Sequence, residues 1–120
     1  MQGLTIGDRV RLYVDAETGS DTNNGKATTT AVQTIDRALV LANAYQQAII
    51  CLKNGQTYTA KDKSNEYGMG IQLYHRTLRF EAYGTASDLP KIQNAIFAYN
   101  CNLEWNGIDL TGNSSVFTMY

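Results

Sequence analysis

Residues 70–80 recur at 95–105 without a gap. Ile71 aligns with Ile96, Leu73 with Ala98, Tyr74 with Tyr99, Leu78 with Leu103 and Phe80 with Trp105, each a step of 25 residues. A shorter step of 20 brings Val116-Phe117-Thr118-Met119 beneath Ile96-Phe97-Ala98-Tyr99. The copies carry the period-2 alternation of an extended strand rather than the 3.6-residue period of a helix. A strand pattern that returns after roughly 20 to 50 residues belongs to a solenoid, in which each coil relies on its neighbours to complete its core. The repeat predicts parallel, in-register pairing of Ile71–Leu73 with Ile96–Ala98 and of Leu78–Phe80 with Leu103–Trp105. Coils of a parallel β-helix lie about 4.8 Å apart, so like must sit tolerably on like. The aligned pairs allow this, with apolar on apolar, Tyr74 on Tyr99, and Arg79 on Glu104 as opposite charges.

Upstream the pattern changes. Arg9 to Val14 alternates charged and apolar residues and reads as a strand that buries Val10, Leu12 and Val14. Thr18 to Thr30, TGSDTNNGKATTT, is a run of turn formers in which Gly19 and Gly25 stand where left-handed backbone angles are inexpensive. Thr34 suits an N-cap and Asp36 the first turn, and Ile35, Ala38, Leu39, Ala42 and Tyr45 then recur at helical spacing. These residues predict one helix from about Thr34 to Gln47, with Ile35, Ala38, Leu39 and Ala42 turned inward. The apolar run Ala48–Leu52, closed by Lys53-Asn54-Gly55, reads as the next strand.

Tyr13-Val14-Asp15, Gly19-Ser20-Asp21-Thr22-Asn23-Asn24-Gly25 and Gln33-Thr34-Ile35-Asp36-Arg37-Ala38-Leu39, in that order, resemble the N-terminal motif of pectate-lyase-like right-handed β-helix proteins. Ala31-Val32 stands where that family carries Pro-Phe. Its members include bacteriophage tailspikes and tail fibres, bacterial surface depolymerases and polysaccharide lyases. The resemblance implies an all-β solenoid, a right-handed single-stranded parallel β-helix with one N-terminal capping α-helix. It covers residues 12–52; beyond them only the period is shared. The expected organisation is one domain over 1–120, with strand, loop, capping helix and first coil in 1–52 and later coils in 53–120. Because Val116–Tyr120 reads as the middle of a rung, a piece of something longer is expected.

A chain of 120 residues has room for one core. Ten basic against eleven acidic side chains leave no positive excess for nucleic acid or an anionic membrane surface. The longest apolar run is far short of the roughly 20 residues that span a bilayer, so no membrane insertion is expected. Met1–Arg9 has no basic segment followed by an apolar one, so a signal peptide is not read there. Cys51 and Cys101, each beside apolar residues, read as buried free thiols.

Candidate sites are sparse. Asp15, Asp21 and Asn23 offer oxygen donors at short spacing that could hold Ca2+, the one cofactor considered; the competing reading is Asx-type capping of loop amides. Tyr74, Tyr83 and Tyr99 could serve as stacking platforms for carbohydrate, near the turn amides Asn94, Asn100, Asn102, Asn106 and Asn113. Glycosidase chemistry needs two carboxyl groups about 5 Å or about 6.5–9.5 Å apart. Of Glu81, Glu104 and Asp109, Glu104 faces Arg79 and Glu81 aligns with Asn106, so no acid pair is stacked. Lys91, Arg76 and the lone His75 suggest no catalytic constellation. If Ile71, Leu73, Ile96, Ala98, Val116 and Thr118 point inward, Phe97, Tyr99, Phe117 and Met119 face outward and predict an interface.

The family resemblance implies a structural N-terminal part of a tailspike- or tail-fibre-like protein, virion-borne or extracellular, concerned with host surface polysaccharide. Its partners would be further copies, a trimer if tailspike-like, or further C-terminal coils. A polysaccharide lyase or glycoside hydrolase of the same fold is the main alternative. A small carbohydrate-binding module is the second.

Overall fold

The structure is a computed structural model that describes residues 9–45, 47–58, 71–74, 76–92, 96–109 and 116–119, with the strands at 71–74, 96–99 and 116–119 described by backbone and pairing. Their regular elements are nine strands, one α-helix and a short 3-10 helix at Thr28–Thr30. The strands and the α-helix are β1 (Arg9–Val14), α1 (Ile35–Ala42), β2 (Gln47–Lys53), β3 (Thr57–Tyr58), β4 (Ile71–Tyr74), β5 (Thr77–Tyr83), β6 (Lys91–Ile92), β7 (Ile96–Tyr99), β8 (Asn102–Asn106) and β9 (Val116–Met119). The strands form three sheets, ordered β1-β2-β5-β8, β3-β6 and β4-β7-β9. Every ladder is parallel.

The repeat appears as register. Ile71–Leu73 pairs with Ile96–Ala98, and Leu78–Phe80 with Leu103–Trp105, residue on equivalent residue. The shorter step holds as well, with Phe97 opposite Phe117 and Tyr99 opposite Met119.

Alternation in the four-stranded sheet sends Leu12, Val14, Ala48, Ile50, Leu52, Leu78 and Phe80 into one core. Tyr58 and Ile92, neighbours in the β3–β6 ladder, close it from another side. The Phe80 ring stacks on Trp105 with centroids 4.7 Å apart and planes 15° from parallel. Burial of one such side chain is worth about 1.5–3 kcal/mol, so this row carries much of the drive to stack coils. β2 lacks alternation because both its faces are covered. Ile49 and Cys51 lie outside the core rows, yet only 4% and 1% of their surface is exposed. Arg11 and Arg79 flank Ile49 in the adjoining strands, and Arg11 Nη1 reaches Cys51 Sγ at 3.9 Å. Cys51 and Cys101 are buried and not disulfide-bonded.

Thr34 Oγ1 accepts the Arg37 N–H at 3.1 Å and caps α1, whose Ile35, Ala38 and Ala42 are buried against the core with Leu39 partly covered. The helix ends at Ala42, not Gln47. Gln47 is already paired with Arg9 and Thr77, so the chain must turn between them. It does so through tighter i→i−3 bonds, Ala44 N–H to Leu41 O and Tyr45 N–H to Ala42 O.

Gly25 has the left-handed backbone anticipated for it, at φ 72°. Gly19 does not; it is required because a Cβ there would lie on the Val32 carbonyl and 2.6 Å from Asp15 O. Asn100 takes left-handed angles at φ 56°, but Asn102 and Asn106 belong to β8 rather than to turns. Asn94, Asn113 and His75 lie outside the described residues. No helix among the described residues is long and apolar enough to cross a membrane.

Candidate functional site

At the C-terminal end of β1 the chain leaves the sheet through Asp15, 4% exposed and enclosed by donors. Its Oδ1 accepts from the amides of Glu17 and Thr18, both at 3.0 Å, and from Gln56 Nε2 at 2.8 Å. Its Oδ2 accepts from Thr18 Oγ1 at 2.6 Å and from Lys53 Nζ at 3.2 Å. Burial opposes the charge, but the bonds from Thr18, Gln56 and the two amides outweigh it and hold Asp15 well below the usual carboxylate range.

Gln56 and Tyr58 extend the network inward. Gln56 Oε1 accepts the Ala16 N–H at 2.7 Å. The Tyr58 hydroxyl accepts the Lys53 N–H at 2.8 Å and has Val14 O, Lys53 O and Gln56 Oε1 within reach of its proton. Tyr83 Oη also donates to Val14 O, at 3.1 Å. Burial, and then the nearby Asp15, push the Tyr83 hydroxyl up to about 12, and burial raises Tyr58 further still. The cluster thus combines a fixed anion with two neutral phenols. None is poised to exchange protons near neutral pH, so its chemistry is that of a clamp rather than of acid–base catalysis.

The sequence candidates separate on this framework. Asp21 lies in a different donor set, with Oδ1 accepting the Gln33 and Thr34 amides and Oδ2 the Thr34 hydroxyl. Asn23 Nδ2 donates to Ala31 O at 2.9 Å. Among the described residues no group of three or more His, Cys, Asp or Glu side chains is placed to hold a metal ion. Tyr83 is half-buried and meets Tyr13 in an edge-to-face contact, with ring centroids 5.2 Å apart and planes at 82°. Tyr74 pairs with Tyr99 in the β4–β7 ladder. The side chains of Tyr74, Tyr99, Phe97, Phe117 and Met119 lie outside the described residues.

On the outer face of the large sheet, Glu81 is held between two guanidinium groups, Arg11 Nη1 on Oε2 at 2.7 Å and Arg79 Nε on Oε1 at 3.2 Å. Arg79 is next to Glu104 in the ladder, as expected, but bonds along its own strand instead. Glu104 is exposed, and among the described residues no ion pair involves it.

The largest cleft among those described, about 360 Å³, is lined by Gln56, Thr57, Asp88, Leu89, Lys91 and Asp109 with Gly55. Its walls are fixed by main-chain bonds, Gly55 N–H to Asp88 O, Lys91 N–H to Gln56 O and Asp109 N–H to Pro90 O. Asp88 and Gln56 had no signal in the sequence, because neither belongs to the repeat or the N-terminal motif. Asp109 did, as a carboxylate on a rung. Comparison of the chain with protein-family models, curated proteins and solved structures finds no match.

Proposed function

We propose that the chain is the capped N-terminal part of a right-handed single-stranded parallel β-helix and serves as a structural segment of a tailspike- or tail-fibre-like protein, virion-borne or extracellular, that engages host surface polysaccharide. The observation that carries this reading is that one 25-residue step holds in register in two separate sheets. A chain that returns in step on two sides of a core is what a coil requires. A polar network that only clamps, and a helix over the first strands, fit a load-carrying role better than a catalytic one. The enzyme alternative draws on one observation, the cleft whose lining includes Asp88, Lys91 and Asp109.

Light scattering on the purified chain, followed by incubation with capsular and lipopolysaccharide glycans, separates the readings. The shaft predicts a homo-oligomer, a trimer if tailspike-like, and no release of reducing ends or unsaturated products. A monomer that releases either would replace it with the enzyme, and a monomer that binds oligosaccharide without turnover would replace it with a binding module. An experimental structure in which β4, β5 and β6 do not follow one another around a common axis would overturn the coil itself.

A further inference from the structure

We draw no further inference here: the strongest candidate, the polar cleft beside the β3–β6 ladder that Gln56, Thr57, Asp88 and Lys91 line, belongs to the site already described, and because the chain runs on from Tyr58 and Asp109 into segments outside the described residues, nothing in the structure shows what covers or fills it.

Discussion

Replacing Asp15 by Asn changes one atom of the clamp and should be costly. An amide can keep its carbonyl where Oδ1 accepts from Glu17, Thr18 and Gln56, but its NH2 then faces Thr18 Oγ1 and Lys53 Nζ. The Thr18 hydroxyl can rotate to accept; the Lys53 ammonium has only protons to offer. Hydrogen bonds to a charged group are worth about 1.5–3 kcal/mol each, and the Lys53 contribution is small because 41% of its side chain is in solvent. A net loss of about 2–3 kcal/mol follows, or roughly 6–15 °C in Tm for a chain of this size. The pH dependence supplies a second reading. The folded carboxyl titrates below the ordinary unfolded value of about 3.9, so its contribution is fully present above that value and is lost as pH falls toward the folded pKa. Thermal melts of both proteins from pH 7 to pH 2 should show a gap that is constant near neutrality and narrows steadily below about pH 4. A variant that melts with the unaltered protein at pH 7, or a gap that persists unchanged to pH 2, would refute the clamp.

Phe80→Ala should lose about 3–5 kcal/mol, measured by urea titration, because it empties a fully buried site and removes the ring stacked on Trp105; Trp105 emission should move to the red. Gly19→Ala should cost about 1–3 kcal/mol in the same titration, since the new methyl meets main-chain carbonyls of Val32 and Asp15 that are themselves hydrogen-bonded. Calcium or a chelator should leave the melting curve unmoved, because both oxygens of Asp15 and of Asp21 already accept N–H or O–H donors.

Register was legible because it is a property of spacing. The match of Ile71 with Ile96 and of Phe80 with Trp105 needed no knowledge of packing, and the ladders reproduce it. The helix start was legible in Thr34 and Asp36, which act locally; its end was not. Tyr45 continues the apolar spacing, but pairing of Gln47 on both sides overrides it, and no local signal reports a tertiary demand. Gly19 misled for a related reason, since a glycine kept for close approach looks in sequence like one kept for a turn. The clamp was half visible. Asp15 stood out in the N-terminal motif, whereas Lys53, Gln56 and Tyr58 join it only once β2 lies beside β1, across about 40 residues of chain.

Alternation alone does not determine how these strands align. A one-residue slip of β5 on β2 would expose the core, but a two-residue slip keeps every apolar residue inside. Three contacts oppose the second kind of slip, and all three skip over β2. Arg11 on β1 meets Glu81 on β5 at 2.7 Å, Tyr83 Oη reaches Val14 O at 3.1 Å, and the Tyr13 and Tyr83 rings meet edge-on. Each requires the β1–β2 and β2–β5 ladders to be correct at once, so a slip in either breaks the set. At about 0.2–1 kcal/mol for the half-exposed ion pair, about 0.5–1.5 for the hydrogen bond and about 0.5–1.5 for the ring contact, together they favour the observed register by roughly 1–4 kcal/mol. That is roughly a tenfold to several-hundredfold preference, from side chains that add little to the core. The outer face of the large sheet therefore specifies which of several equally buried alignments is formed, while the inner rows supply the reason to form any.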